Sequence, residues 1–497
     1  MFNLLAKKLL NIGKKRGGKK PFYITTTLPY VNAEPHIGFA MELVRADIIA
    51  RYQKLIGRAV FFNTGTDEHG QKIYQKAVEA GLEPQAYVDS YATKFKALIP
   101  LLGISEDINF IRTTDRHHIE AAQEFWRRVD KAGFIYKKQY ETKYCIGCEL
   151  EKTDSELEDG RCPIHPNKAI ELRAEENYFF QYSAFESRLQ ELYAKNPNLV
   201  VPDFRFNEIK NFVKSGLHDF SISRLKTKMP WGIAVPGDEE QVMYVWFDAL
   251  VNYISAIGWP KDEAKFRQWG VESGGVVQYA GKDNLRPQAG MWQAMLLAVG
   301  LTPSQTIVID GFINASDGQK MSKSIGNTIS PHELVAGFGV EAVRYYMARH
   351  INDFEDFDFS LEKMTEAYNA NLANGLGNLV SRVMKMASTH LAGPVSVSDQ
   401  SIPADFKQAI ANFELNKASN IIWAQIGELD KKIQTTEPFK LIKTEPIKAK
   451  AIITELVVGL YAVGQILEPI MPTTSATIKA LVKANQMPTT PLFGRKD

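Results

Sequence analysis

The amino-acid sequence predicts an α/β fold built on a parallel sheet, followed by an all-α helical bundle. Residues 21–119 and 230–310 alternate apolar, strand-like runs with amphipathic helical patterns, which is typical of a parallel sheet covered by helices. After Leu361 strand signals vanish and apolar side chains recur at helical spacing, beginning with Phe406 and Ile410. At 497 residues the chain is long enough for three or four domains.

Composition and charge narrow the class of protein. Hydrophobic residues make up 45% of the chain and charged residues 23%, as in a soluble globular enzyme, and no stretch approaches the ~18–20 continuous apolar residues of a membrane span. Residues 1–20 form a basic N-terminal extension without acidic residues. This extension is either an organelle-targeting peptide or a disordered segment with weak attraction for RNA. Its single Arg and its lack of Ser favour the second interpretation.

A candidate anion site follows the extension. Residues 22–27 are β-branched and aromatic, residues 28–35 are a turn broken by proline, and residues 37–52 have helical apolar spacing. The free N–H groups and the dipole of a helix start attract phosphate. His36 adds a ring donor there, and Gly38 removes a side chain where a nucleotide base would approach. Taken alone, such a histidine is ordinary helix capping.

A second polar segment lies far along the chain. Residues 307–309 form a buried-looking strand, residues 316–318 signal a turn, and Lys320, Ser322 and Lys323 follow in the string Lys-Met-Ser-Lys-Ser. Two ammonium groups and two hydroxyls suit a leaving pyrophosphate, whose charge grows during its transfer. The alternative is a solvated lysine turn.

Together, in this order, the two segments resemble the ATP-binding signatures of class I aminoacyl-tRNA synthetases. The resemblance implies a Rossmann-like catalytic domain that binds ATP with Mg²⁺, and catalytic roles for His36 and Lys323. The ATP contacts that it implies are His36, Gly38, Phe39, Lys320, Ser322 and Lys323.

Three further segments resemble the methionyl-tRNA synthetase family: Leu28-Pro29-Tyr30, Gly65-Thr66-Asp67-Glu68-His69-Gly70 and Tyr244-Val245-Trp246-Phe247-Asp248-Ala249-Leu250-Val251-Asn252-Tyr253. The resemblance runs from about Phe22 to the C-terminus. It implies that Asp67 pairs with the α-ammonium of L-methionine. It also implies that the methionine side chain is enclosed by Leu28, Tyr30, Trp246, Ala249, Tyr253 and Gln288. Without these motifs, Trp246 and Tyr253 would be read as core aromatics on one helix.

Two positions of the predicted substrate sites depart from the family pattern, besides Phe439, which stands where the family has a stacking tryptophan. Gln288 and Phe39 each stand where the family usually has histidine. A glutamine donates and accepts hydrogen bonds but does not become cationic. These departures affect the sulfur pocket and the ATP contact, and leave the predicted reaction unchanged.

The three cysteines of the chain form a candidate metal site with one histidine. Cys145 and Cys148 form one pair, and Cys162 and His165 form a second pair thirteen residues further on. Two such pairs suit one tetrahedral structural zinc ion. The alternatives are a redox-active Cys-x-x-Cys pair or a disulfide, both disfavoured by the odd number of cysteines and by the paired histidine. The family carries such a knuckle in its connective insertion.

The resemblance assigns a role to each remaining region. Residues 120–229 become the connective insertion, with the zinc knuckle at 145–165, and residues 311–360 the stem-contact region that carries the lysine loop. Residues 361–497 become the anticodon-binding domain, in which the family's base-contacting residues correspond to Asn378, Arg382 and Phe439. Read without the resemblance, the first two are ordinary polar helix surface.

The predicted function is therefore ATP-dependent activation of methionine and its transfer to tRNA(Met), for translation initiation and elongation. One rival is a class I synthetase for isoleucine, valine, leucine or cysteine. The first three carry a larger editing insertion than the chain holds between its two ATP signatures, and a cysteine enzyme would place zinc in its substrate pocket. Another rival is a catalytically dead tRNA-binding protein, against which His36, Asp67 and Lys323 argue.

The end of the sequence bears on assembly. Only residues 484–497 follow the last predicted helix, which is too short for the dimerising RNA-binding domain that some family members carry. We therefore expect a monomer. We also expect the protein to be cytoplasmic and not to associate with membranes.

Overall fold

The computed structural model describes residues 19–145, 150–152, 157–163, 166–315 and 329–496. Most of the basic extension, the lysine loop with Lys320, Ser322 and Lys323, and the candidate zinc ligands Cys148 and His165 lie outside these residues. The described strands are β1 (Phe22–Thr26), β2 (Val60–Thr66), β3 (Asn109–Arg112), β4 (Ile135–Cys145), β5 (Leu150–Lys152), β6 (Ile170–Phe180), β7 (Val200–Val201), β8 (Phe220–Ser221), β9 (Ser223–Leu225), β10 (Ala234–Val235), β11 (Asp238–Met243), β12 (Val276–Gly281), β13 (Thr306–Asp310), β14 (Ile313–Asn314) and β15 (Phe357–Asp358).

The described α-helices are α1 (Ile37–Leu55), α2 (Gln71–Glu79), α3 (Pro84–Leu101), α4 (Arg116–Lys131), α5 (Glu186–Lys195), α6 (Asp203–Lys214), α7 (Val245–Ala249), α8 (Asn252–Ser255), α9 (Glu263–Phe266), α10 (Trp292–Ala298), α11 (Pro331–Phe338), α12 (Val340–Arg349), α13 (Leu361–Ala367), α14 (Asn378–His390), α15 (Ala404–Ala411), α16 (Leu415–Thr436), α17 (Pro438–Leu441), α18 (Pro446–Leu467) and α19 (Pro472–Ala484). Short π-helical segments precede α10 (Arg286–Met291) and α14 (Tyr368–Gly377).

The central sheet is parallel and has the strand order β3-β2-β1-β12-β13-β7. Every residue of β1 and β13 is buried, as expected when helices cover both faces of a parallel sheet. The predicted parallel α/β fold is thereby confirmed.

The edge strand β7 departs from the predicted domain boundary. Val200 and Val201 lie within the segment assigned to the insertion, yet they pair with Ile307 and Val308 of β13. A strand of two residues has no periodicity that a sequence pattern can detect. The central sheet therefore recruits its last strand from residues that the sequence assigns elsewhere.

The insertion is built on an antiparallel sheet of order β5-β4-β6-β8. Its long ladder joins β4 to β6 from the pair Ile135–Phe180 to the pair Cys145–Ile170. The ladder therefore carries Cys145 to the end of the sheet opposite Ile135.

After residue 360 the described residues contain helices and no strand, as predicted. Helix α18 is the one described helix that is long and apolar enough to cross a membrane by composition, but 56% of its most apolar window is buried. It packs against α14, α16 and α19, so it is the core helix of the bundle. The stripe that starts at Phe406 breaks at Phe413, whose positive φ of 61° separates α15 from α16.

Candidate active site

A cavity of about 970 Å³ opens at the carboxyl ends of β1, β2, β12 and β13. This edge of a parallel sheet is where α/β folds place their ligands. The cavity is lined by every described residue that the sequence analysis assigned to ATP or methionine: Leu28, Tyr30, His36, Gly38, Phe39, Asp67, Trp246, Ala249, Tyr253 and Gln288. Residues that are far apart in the chain thus meet at one site.

His36 forms the N-cap of α1. Its Nδ1 accepts a hydrogen bond from the backbone N–H of Gly38 at 3.1 Å, so the neutral ring carries its proton on Nε2. A Cβ atom on Gly38 would lie 3.0 Å from the His36 ring, so a side chain at this position would crowd the histidine. The exposed ring thus offers an N–H donor beside the helix start, the arrangement expected of a phosphate site.

Phe39 lies mainly in the protein core. It is 7% exposed and packs edge-to-face against Phe95, with ring centroids 5.5 Å apart. The aromatic ring that replaces the family's usual histidine therefore lines the cavity and is held there by apolar contacts.

Asp67 is held at the cavity wall by backbone pairing. Its N–H donates to the carbonyl of Pro29 at 3.0 Å, and its carbonyl accepts from Val31 at 3.2 Å, which places its carboxyl group beside Tyr30. The side-chain atom Oδ1 is buried without a hydrogen-bond partner, and no basic residue in the described part of the chain pairs with Asp67. Burial, and next the charges of Asp248 and Glu68, raise the pKa of Asp67 well above its usual range.

The neighbouring acids have partners of their own. Glu68 accepts two hydrogen bonds from the guanidinium of Arg112, at 2.7 and 2.8 Å, and Asp248 lies 3.1 Å from Nδ1 of His69. Asp67 is therefore the acid of this group whose carboxyl group pairs with no arginine or histidine side chain in the described part of the chain. Because a buried carboxylate needs a charged or hydrogen-bonding partner, its environment suits a ligand that carries an ammonium group.

The apolar wall comes from two short helices. Trp246 and Ala249 lie on α7 and Tyr253 on α8, with a break between the helices. The seven-residue spacing suggested that Trp246 and Tyr253 share one helix, but they lie on two separate helices. Tyr30 completes this wall, and a Cβ on Gly70 would lie 2.5 Å from its hydroxyl. Aromatic edges and faces of this kind hold a flexible thioether well.

Gln288 lines the cavity although it is only 2% exposed. Its Nε2 donates to the Tyr253 hydroxyl at 2.7 Å, and its Oε1 accepts from Gln278 Nε2 at 2.6 Å. The amide thus uses both its donor and its acceptor, and it does so without becoming cationic.

Sequence reasoning missed two buried acids in the lining, Glu42 and Asp310. Glu42 Oε1 accepts from the backbone N–H and the hydroxyl of Thr27, both at 2.6 Å, and so ties α1 to the end of β1. Asp310 pairs with Arg45 at 3.2 Å. The only sequence signal for either residue is an acid inside an otherwise apolar helix or strand.

We expect Glu42 to make stability depend on pH. Burial raises its pKa from 4.5 to about 8, although the Thr27 hydrogen bonds oppose this. The folded protein keeps a proton that the unfolded chain loses, so the free energy of unfolding falls as the pH rises from about 4.5 to 8. Glu42→Gln keeps the acceptor oxygen and removes this fall. Between pH 6 and 9, the variant should lose about 2 kcal/mol less stability than the parent chain.

Urea denaturation at both pH values measures this difference. Glu34→Gln, which changes a half-exposed glutamate beside the same cavity, controls for the loss of one negative charge. Equal pH dependence in the Glu42→Gln variant and the parent would contradict the prediction.

Of the four candidate zinc ligands, Cys145 and Cys162 are described, and both are fully buried. Cys145 ends β4, and Cys162 follows a tight turn closed by the bridge between Glu158 and Arg161. Cys148 and His165 lie outside the described residues. Two buried thiols in a polar insertion are consistent with the predicted knuckle.

The three candidate anticodon residues lie in the helical region. Asn378 is exposed at the start of α14, and Arg382 pairs with Asp430 of α16 at 2.5 Å. Phe439 is 44% exposed, on the short helix that follows α16. An exposed aromatic ring at a helix start is available for stacking on a base.

The parallel sheet, the helix start with its histidine and the lined cavity place the protein among the class I aminoacyl-tRNA synthetases. The family model described as tRNA synthetases class I (M) matches residues 22–169 and 147–384. The chain therefore belongs to the methionyl-tRNA synthetase (methionine–tRNA ligase) family.

Methionine–tRNA ligases of other organisms match this chain over most of its length. The chain is 39% identical to the methionine–tRNA ligase of Nostoc over 93% of this chain and 89% of that protein. It is 44% identical to the Thermosynechococcus vestitus enzyme over 77% and 72%. The Mycobacterium tuberculosis methionyl-tRNA synthetase in complex with methionyl-adenylate superposes with a TM-score of 0.84 at 33% identity, over 96% of this chain and 100% of that one.

Proposed function

We infer that this chain activates methionine with ATP and charges tRNA with the product. The observation that carries this function is the buried carboxyl group of Asp67, whose Oδ1 has no hydrogen-bond partner among the described residues, beside the aromatic wall of the cavity. An amino acid with an apolar side chain satisfies both features at once, because its ammonium meets Asp67 and its side chain meets the wall.

The first step joins methionine to AMP. A carboxylate oxygen of methionine attacks the α-phosphorus of ATP, a new P–O bond forms, and the bond to the bridging oxygen breaks so that pyrophosphate leaves. ATP enters as its Mg²⁺ complex, so this ion belongs to the substrate. His36 Nε2–H and the start of α1 stabilise the charge on the phosphates, with Lys323 on the leaving pyrophosphate.

The second step transfers the methionyl group. A terminal ribose hydroxyl of tRNA attacks the carbonyl carbon of the adenylate, an ester bond forms, and AMP leaves with the oxygen it gained in the first step. Asn378, Arg382 and Phe439 hold the anticodon, Phe439 by stacking, which is worth ~1–3 kcal/mol for each base.

Methionine-dependent exchange of radioactive pyrophosphate into ATP tests this function. We expect exchange with methionine and far less with isoleucine, valine, leucine or cysteine. Lys323→Ala, purified in the same way, should exchange much more slowly and so excludes a contaminating enzyme. Exchange with another amino acid, or none with any, would contradict the proposal.

We propose that Cys145, Cys148, Cys162 and His165 hold one structural zinc ion. The burial of both described thiols fits a closed site, in which three thiolates and a neutral imidazole would tie the end of the β4–β6 ladder to the following turn. The ion would stabilise the insertion and take no part in the reaction.

Elemental analysis of protein purified without chelator should find one zinc per chain. Cys162→Ser should lose the zinc and expose the insertion to protease while the helical bundle stays protected. His117→Ala, which changes an exposed histidine elsewhere, should keep the metal. A chain without zinc, or with a Cys145–Cys148 disulfide, would refute the site.

We also propose that the enzyme is a cytoplasmic monomer. The C-terminal segment packs on its own chain: Phe493 lies edge-to-face on Tyr368 at 6.1 Å, and the backbone of Lys496 makes two hydrogen bonds with the Asn369 side chain. Light scattering at micromolar concentration should give a mass near 55.9 kDa. A mass of twice that value would contradict this proposal.

A further inference from the structure

A chain of hydrogen bonds runs beneath the methionine cavity and ends on Tyr253. It joins five buried polar side chains, none more than 5% exposed: Gln293, Ser304, Gln278, Gln288 and Tyr253. The successive distances between their polar atoms are 2.9, 2.6, 2.6 and 2.7 Å. Only the last two members line the cavity.

Backbone groups fix the donor–acceptor direction of these hydrogen bonds at Gln293, the end that lies far from Tyr253. The N–H of Ser304, which can only donate, bonds to Gln293 Oε1 at 2.9 Å. The carbonyl of Gln288, which can only accept, receives Gln293 Nε2 at 2.8 Å. The Gln293 amide is therefore held in one orientation, with Nε2 also donating to the Ser304 hydroxyl.

Each later proton position follows from the one before it. Ser304 accepts from Gln293, so its own proton goes to Gln278 Oε1. Gln278 then donates to Gln288 Oε1, and Gln288 donates to the Tyr253 hydroxyl. Hydrogen bonds aligned in this way strengthen one another.

The Tyr253 hydroxyl consequently accepts a hydrogen bond from Gln288, and its own proton remains to be donated. In the described part of the chain Gln288 donates to this hydroxyl at 2.7 Å, and the side chains of Gln278 and Asn252 also interact with it, each lowering the pKa of Tyr253 as a donor to its oxygen does. The ring itself is held independently of the hydroxyl, because Tyr23 donates to the Tyr253 carbonyl at 2.9 Å and Trp292 packs on the ring at 5.9 Å.

We propose that Gln293, Ser304 and Gln278 are positioning residues that make the Tyr253 hydroxyl a hydrogen-bond donor to the substrate side chain. A thioether sulfur is a weak acceptor, whereas the methylene group of norleucine accepts nothing. The five hydrogen-bonded side chains that end at Tyr253, called the relay below, thus select methionine over norleucine, its nearly isosteric hydrocarbon analogue. This inference rests on the proposed function and extends it to residues that do not touch the substrate.

The test compares methionine with norleucine in the pyrophosphate exchange assay. Ser304→Ala removes one link and frees the Tyr253 proton to turn elsewhere. The ratio of kcat/KM for methionine to that for norleucine should fall roughly threefold to tenfold, the effect of one hydrogen bond. The change should lie in KM for methionine, with kcat and both norleucine constants preserved. Ser304→Thr keeps the hydroxyl and should keep the ratio.

Two further variants separate direction from packing. In Gln293→Met the amide that donates to the Ser304 hydroxyl is lost, so the Ser304 proton no longer has a fixed direction. The ratio should fall, as in Ser304→Ala. Ser255→Ala removes a similarly buried hydroxyl on α8, which bonds to His118 and not to the relay, and should leave the ratio unchanged.

A double-mutant comparison completes the design. Tyr253→Phe deletes the hydroxyl, so adding Ser304→Ala to it should change the ratio no further. The relay is refuted if Ser304→Ala lowers methionine and norleucine use equally, leaves the ratio intact, or acts as strongly without the Tyr253 hydroxyl. Failure of the proposed function is a different result, because the parent chain would then show no methionine-dependent exchange.

Discussion

Replacing Asp67 by asparagine is expected to weaken methionine binding by about 2–5 kcal/mol, the usual loss when one partner of a buried charge pair is removed. Asp67 Oδ1 has no hydrogen-bond partner among the residues that the structure describes, so the substrate ammonium would be its cation. Asparagine has nearly the same shape, but its amide lacks the charge. ATP binding should be unaffected, because the phosphate site at His36 is unchanged.

Isothermal titration with methionine and with an ATP analogue measures both affinities. Asp283→Asn removes the same charge from an exposed residue of the same cavity and controls for a general electrostatic effect. If Asp67→Asn bound methionine as tightly as the parent chain, the role of Asp67 would be to hold the turn beside Tyr30.

Replacing Arg45 by methionine is expected to lower the free energy of unfolding by at least about 3–5 kcal/mol. Arg45 is fully buried on α1. Its guanidinium pairs with Asp310 at 3.2 Å and donates to the carbonyls of Ile351, Asn352 and Asp353 at 2.8, 2.9 and 3.1 Å. The substitution leaves a buried carboxylate and these carbonyls without their donor.

The same change should also loosen the helical region. The Asp353 carboxylate accepts from the backbone N–H groups of Leu415 and Asn416, at 3.1–3.2 Å, at the start of α16. Arg45 thus connects the cavity residue Asp310 to the loop that anchors α16. We expect hydrogen exchange to rise at the start of α16 as well as around β13.

Urea denaturation and hydrogen exchange measure the two effects. Arg45→Lys keeps the charge but has fewer donors, so it should lose less stability than Arg45→Met. Arg116→Met changes an arginine whose side chain is 91% exposed and should cost little. Unchanged stability in Arg45→Met would contradict the assignment of Arg45 as the centre of this contact.

Much of the site could be predicted because its signals are local. Residues 22–27, which read as a strand, contain β1, and His36, which was placed at a helix start, is the N-cap of α1. The motif residues Asp67 and Tyr253, 186 positions apart by their numbers, do line one cavity. Each was found from its own neighbours in the sequence and from the resemblance that those neighbours carry.

Tertiary structure alone decided how these residues are supported. Arg45 reads as one polar residue in an apolar helix, yet its acceptors lie about 300 positions away. Ser304 and Gln278 belong to no motif, and only the pairing of β12 with β13 and the packing of the Arg286–Met291 segment bring them to Gln288.

The physical reason is how far apart in the sequence the interacting residues lie. Helix starts, turns and strand alternation depend on residues within one or two turns of each other, so the sequence by itself determined β1, α1 and the motif residues of the cavity. A buried arginine or amide is stable only when distant carbonyls and carboxylates meet it. The ion pair of Arg45, the relay below Tyr253 and the recruitment of β7 were therefore decided by the tertiary structure.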